Sequence, residues 1–127
     1  MVVHGFEIED RPGALYELLA SIASEGVDLH CLMAYSAGDG SGVVYLGAKD
    51  PATLQAWATD TGTHAEEAPG FVIEGDDKIG AAADALKGLA DAGINGIVGA
   101  AMVCDGGFHI GVVVAAENGD EAEKVLG

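Results

Sequence analysis

The chain has 127 residues, with 21 Asp and Glu against 5 Lys and Arg, a formal net charge of −16 when the 4 histidines are neutral. Proteins that grip nucleic acid or anionic lipid use clustered Lys and Arg. Here Arg11, Lys49, Lys78, Lys87 and Lys124 are widely spaced, so neither nucleic acid nor a membrane surface is an expected partner.

In chain order, Val2, His4, Phe6 and Ile8 alternate with Val3, Gly5, Glu7 and Glu9, the period of a half-buried strand. Asp10 begins a turn, and Pro12 suits the first position of a helix. Leu15, Leu18, Leu19 and Ile22 follow at helical spacing, and Gly26 is the expected stop. Val27, Leu29, Cys31 and Met33 alternate with Asp28, His30 and Leu32 as a second strand. Residues 37–42, Ala-Gly-Asp-Gly-Ser-Gly, read as a hairpin turn, and Val43 to Ala48 as a third strand. A helix with Pro51 in its first turn and Leu54 and Trp57 inward comes next, and Thr63 to Ala68 is the expected fourth strand.

From Phe71 the order repeats: a strand, a helix with Leu86, Leu89 and Ala90 inward, a strand from Ile94, a turn at Asp105-Gly106-Gly107, a strand to Ala116 and a short helix near Asp120. The two halves match at an offset of 67 residues without a gap. Asp10-Arg11-Pro12-Gly13-Ala14 aligns with Asp77-Lys78-Ile79-Gly80-Ala81, Leu19 with Leu86, Ala23 with Ala90, Gly26 with Gly93, Gly40 with Gly107 and Ala48 with Ala115. The expected fold is α+β: two ferredoxin-like βαββαβ repeats, 1–68 and 69–127, each an antiparallel sheet with helices on one face. The second is expected to lack its last strand, which leaves seven strands and an open edge, and a two-fold homodimer is the expected way to cover such an edge.

The run Glu9-Asp10-Arg11-Pro12-Gly13-Ala14-Leu15, a following helix, Gly26-Val27-Asp28-Leu29 and a hairpin strongly resemble the ACT domain, a small regulatory module that binds amino acids. The resemblance spans nearly the whole chain as a tandem pair. The second half keeps Asp77, the basic Lys78 and Gly80 but has Ile79 for the proline and Ala82 for the helix leucine. What it implies is a ligand held between the strand-to-helix turn and the start of the second strand, commonly at an interface between two such units. The implied ligand residues are Asp10, Arg11, Pro12, Gly13, Ala14, Leu15 and Asp28, with Asp77, Gly80 and Asn95 in the second half. A helix N-terminus suits a carboxylate, and Gly13 would let a ligand approach the backbone. Asp28 or Asn95 would accept from an ammonium group. Without the resemblance, the plainer reading is that Asp10 caps the helix and Asp28 is solvated.

The remaining candidates are weaker. His30, Cys31, Cys104 and His109 have metal-ligand chemistry but no short ligand spacing, and Cys31 alternates with Leu29 and Met33 on the expected buried face. Neither cysteine lies beside a basic residue or at a helix start that would stabilise a thiolate. Residues 38–42 lack the lysine and following helix of a phosphate loop. Glu66-Glu67 and Asp76-Asp77 are neighbours whose side chains point apart. No catalytic set, metal or cofactor is therefore expected. Reduced thiols without CxxC spacing, and no signal-peptide pattern at Met1 to His4, suggest a cytoplasmic protein. The expected function is non-catalytic amino-acid sensing; the alternative is an interaction module that pairs with an amino-acid-metabolism enzyme or a transcription factor and takes no ligand.

The acid excess resembles that of salt-adapted proteins. Raising potassium chloride from about 0.1 M to about 1 M shortens the Debye length from about 10 Å to about 3 Å, so repulsion among the carboxylates falls and the melting temperature should rise markedly. A melting curve indifferent to salt would contradict that reading.

Overall fold

In the computed structural model, which describes residues 1–126, strand β1 (Val2–Glu9) is followed by helix α1 (Ala14–Ser24), β2 (Leu29–Ser36), β3 (Ser41–Ala48), helix α2 (Pro51–Thr61) and β4 (Glu66–Asp76). Then come α3 (Ala81–Asp91), β5 (Gly96–Cys104), β6 (Gly107–Val114), a 3-10 turn at Ala116–Asn118 and α4 (Gly119–Leu126). The chain divides into two compact units, Val2–Glu67 and Ala68 onward with Met1. In the first, β3 pairs antiparallel with both β1 and β2. In the second, β6 pairs antiparallel with both β4 and β5.

Among the described residues six strands form where seven were expected. The fourth strand at Thr63 to Ala68 and the strand from Phe71 are one continuous element, β4. Pro69-Gly70 does not turn the chain: Gly70 pairs with Val113, and proline's fixed φ is compatible with extended backbone.

Local chemistry explains the helix ends. Asp50 caps α2 by accepting from the Ala52 amide at 3.1 Å, Pro51 sits in the first turn, and Gly62 closes the helix at φ 66°. Gly26 and Gly93 take φ 75° and 70° directly after α1 and α3. In the first unit, Phe6, Ile22, Val27, Val44, Leu46, Leu54 and Trp57 form the core. Phe6 meets Trp57 edge to face at 5.7 Å, and Trp57 Nε1 donates to Ser21 Oγ at 3.0 Å. The second core is smaller and has no aromatic among its buried residues: Leu89, Ile94, Val112, Val114 and Ala122. Of the helix residues expected inward there, Leu89 is buried, whereas Leu86 and Ala90 are exposed.

The offset of 67 holds through β5 and becomes 66 in β6. Ser36 pairs with Gly42, and the matching Val103 pairs with Phe108. The second hairpin is one residue shorter. It turns on Asp105 at φ 51° and Gly106 at φ 77°, the geometry that Asp-Gly favours in two-residue hairpins. Gly40 therefore corresponds to Gly106, not Gly107, and Ala48 to Val114, not Ala115. In the corrected register, buried Val44, Leu46 and Ala48 match buried Ile110, Val112 and Val114.

This register exposes a reciprocal exchange of sizes. Ile8 faces Gly42 in the first unit, and Gly75 faces Phe108 at the same place in the second. A Cβ on Gly75 would lie 2.5 Å from the Phe108 ring, so the ring occupies the space that Ile8 fills elsewhere. Likewise Gly5 faces Tyr45, and Val72 faces Gly111. In α3, Gly88 replaces Ser21 and packs against Val125 of α4, where a Cβ would meet the Val125 carbonyl oxygen at 3.0 Å.

His4 is fully buried, and neither ring nitrogen has a hydrogen-bond partner among the described residues. Glu67 Oε1 lies 3.5 Å from Nε2 but belongs to a largely exposed side chain. Buried unpaired polar atoms cost stability. His4→Leu, of similar volume, should therefore stabilise the protein by about 1 kcal/mol or more, read as a raised melting temperature; a lowered one would show that the ring is satisfied.

Candidate functional site

The turn between β1 and α1 is tied down by its polar groups. The Asp10 amide donates to the Gly40 carbonyl oxygen at 3.0 Å, and Asp10 Oδ2 accepts from Ser36 Oγ at 2.6 Å. Asp10 is thus committed to the β2–β3 hairpin, and no side chain caps α1. Arg11 closes over the turn: Nε donates to Glu9 Oε2 at 2.8 Å and Nη2 to Glu17 Oε2 at 2.5 Å. The hydrogen bond and charge of Arg11 hold the Glu17 carboxyl below the usual carboxylate range.

Gly13 occupies the N-cap of α1 at φ 89°. A Cβ there would meet nothing closer than 3.9 Å, so glycine is required by the left-handed backbone and not by a need for space. Ala14 is buried, Leu15 packs against the first core, and Pro12 is exposed.

The second unit repeats the frame with looser side chains. The Asp77 amide donates to the Gly106 carbonyl oxygen at 3.0 Å, and Ala81 N to the Lys78 carbonyl oxygen at 3.1 Å. Gly80 is the N-cap of α3 at φ 86°, again with no side-chain cap. Lys78 Nζ stands 4.0 Å from Asp84 Oδ2, beyond hydrogen-bonding distance.

Asp28 and Asn95 lie elsewhere. Each follows the C-terminal end of its unit's first helix, whereas the glycine turn precedes the N-terminal end. A helix of 11 residues spans roughly 16 Å, so within one unit Asp28 does not meet the Asp10 to Leu15 turn, nor Asn95 the Asp77 to Gly80 turn. Lys49 Nζ donates to Asp28 Oδ2 at 2.6 Å, and this hydrogen bond, the largest of several causes, lowers the Asp28 carboxyl's affinity for protons. Asn95 is exposed, and the position matching Lys49 is Ala115.

Other candidates stay dispersed. Among the described residues no three His, Cys, Asp or Glu side chains gather as a metal site. His109 Nδ1 lies 3.2 Å from Glu74 Oε1, and Cys104 is exposed. A β-bulge falls between Leu29 and Cys31, yet burial alternates as expected: Leu29, Cys31 and Met33 are at least half-buried, and His30 and Leu32 are exposed. No helix among the described residues is long and apolar enough to cross a membrane.

One feature was not legible as a motif. A groove of about 370 Å³ runs beside the start of α3, with Ile73, Gly75, Ala81, Ala85 and Phe108 as walls and Asp76, Lys78 and Asp84 at its rim. Its sequence signal is Gly75 where the first half has Ile8, and Ala85 where it has Leu18.

Because Gly13 is left-handed, Gly13→Ala should destabilise the protein by about 1 kcal/mol, the cost of a side chain in that region. Denaturant unfolding checks this, and a neutral or stabilising result would contradict the turn geometry.

The sequence matches no protein-family model and no curated protein. Solved structures are similar at low identity. A Bacteroides thetaiotaomicron protein matches with a TM-score of 0.79 and 19% identity, over 98% of this chain and 85% of that one. The regulatory subunit of aspartate kinase from Thermus thermophilus, in a ligand-free form, matches with a TM-score of 0.66 and 17% identity, over 98% and 89%. The corresponding subunit from Thermus flavus gives 0.60 and 19%, over 98% and 88%. At these identities the likeness is one of fold, an ACT-like α+β arrangement.

Proposed function

We propose that this chain is a non-catalytic regulatory protein, a tandem of two ACT-like repeats that senses a free amino acid. The observation that carries the reading is the pair of matching strand-to-helix turns: Gly13 and Gly80 begin α1 and α3 in the left-handed region, and no side chain caps either helix. The amides of Ala14 and Ala81 already donate to the Arg11 and Lys78 carbonyl oxygens, and the partial positive charge that remains at such a helix start suits the carboxylate of an amino acid. The diversion of Asp10 to Ser36 supports this, since the acid best placed to compete with a ligand carboxylate is engaged elsewhere. The fold likeness to the regulatory subunit of aspartate kinase from Thermus thermophilus supports a regulatory role.

A second reading, an interaction module without a ligand, is favoured by β5. This edge strand of its unit has no charged residue over Gly96–Cys104, and Ile97, Met102 and Val103 are exposed along it. An apolar, uncharged edge invites pairing with another chain. The same strand supports a homodimer under either reading.

Calorimetric titration of the purified protein with each of the twenty amino acids separates the two. Saturable heat from one or a few is expected; no heat from any of them would leave the interaction module as the better account.

A further inference from the structure

The two units differ beside the helices α1 and α3 that follow β1 and β4. In the first, Ile8 and Leu18 pack against the core and fill the space beneath the helix. In the second, Phe108 takes the space that Ile8 fills, but Ala85 stands in place of Leu18 with nothing to compensate, and the groove of about 370 Å³ opens there. That volume lies at the small end of the range for ligand pockets. Phe108 supplies an aromatic wall over Gly75, with Ile73 and Ala81 completing an apolar surface.

The rim differs as well. Arg11 is locked by hydrogen bonds to Glu9 and Glu17, so the first unit's charges satisfy one another. Their counterparts are Lys78, Asp76 and Asp84, and Lys78 Nζ stops 4.0 Å short of Asp84. A cation and two carboxylates at the mouth of an apolar groove complement a small zwitterion whose side chain is apolar. Its carboxylate would meet Lys78 beside the uncapped start of α3 at Gly80, and its ammonium group Asp84 or Asp76. Two carboxylates to one ammonium disfavour an acidic side chain.

We infer that the second unit holds the amino-acid site, that the side chain of the ligand occupies the groove formed by Ile73, Gly75, Ala85 and Phe108, and that the ligand is an aliphatic amino acid. This rests on the sensing function proposed above and assigns it to one unit and one class of ligand. In the first unit Leu18 packs against the core at the position where Ala85 leaves the groove.

The test is calorimetric titration of the full chain with L-leucine, L-valine and L-methionine, and with L-glutamate as the acidic comparison. The aliphatic amino acids should bind and L-glutamate should not. Ala85→Leu restores the residue that the first unit carries at Leu18, so it should fill the groove and lower affinity at least about tenfold while the melting temperature holds or rises. Lys78→Gln should cost about tenfold or more, the loss of a charged hydrogen bond. Lys87→Gln, which removes a cation already paired with Asp91 on the outer surface of α3, should leave affinity unchanged. Should Ala85→Leu fail to fold, the NMR resonances of Ala81, Ala85 and Phe108 in the wild-type protein should shift as L-leucine is added. Binding that survives in folded Ala85→Leu, or shifts confined to other residues, would overturn this site and leave amino-acid sensing intact. Preference for L-glutamate would overturn the ligand class. No heat from any of the twenty amino acids would remove the sensing reading itself.

Discussion

In each unit the chain leaves a strand, reverses through a glycine at φ near +90° and enters a helix. This turn is the constraint on which the rest of the structure depends. An L side chain there costs about 1–2 kcal/mol, and the left-handed step sets the angle at which the helix lies on the sheet. The backbone bonds that hold the turn, Asp10 to Gly40 and Asp77 to Gly106, anchor it to the far hairpin and survive the one-residue shortening of that hairpin. What the two units share is therefore a backbone arrangement, and their side chains are free to differ.

They differ by compensation in some places and by loss in others. Ile8 against Gly42 becomes Gly75 against Phe108, and Gly5 against Tyr45 becomes Val72 against Gly111, exchanges in which a large residue moves to the opposite strand and the space stays filled. Leu18 to Ala85 has no such partner, and at Leu29 to Gly96 only Val112 approaches, 3.2 Å from where a Cβ would stand. The gaps they leave are the groove beside the start of α3 and a second groove of about 340 Å³ lined by Leu86, Leu89, Ile94, Gly96 and Val112. The first unit, where Phe6 meets Trp57, has the larger buried core. Both of these grooves lie in the second, and openings in a core cost stability.

The cations are paired with carboxylates in both units. With 21 acids and 5 bases, each cation is a scarce resource, and Arg11, Lys49, Lys87 and Lys124 each lie close to a carboxylate at 2.5 to 3.2 Å. Lys78 is the exception in distance, at 4.0 Å from Asp84. Exposed pairs of this kind contribute little to stability, so their interest lies in which charges they leave available at a surface.

Much of this architecture was legible in the residues alone. Alternation in Val2 to Glu9, helical spacing from Leu15 to Ile22 and the stop at Gly26 are local signals, and local backbone preference decides them; the internal repeat and the glycine turns of the ACT resemblance follow from the same positions. Tertiary structure decided what depends on pairing across the chain. Pro69-Gly70 reads as a break but lies within one strand, because β6 pairs along residues 70–76 and that ladder outweighs turn propensity. The single-residue deletion in the second hairpin is invisible in an ungapped match, since Gly40 finds a glycine at either offset, and only the register of β6 separates Gly106 from Gly107. The candidate site divides in the same way: the sequence by itself determined that a helix follows the turns at Asp10 and Asp77, whereas the structure starts those helices after Gly13 and Gly80 and not at Pro12, the length of α1 and α3 separates Asp28 and Asn95 from those turns, and the groove beside α3 forms only where Ala85 and Phe108, distant along the chain, line one surface.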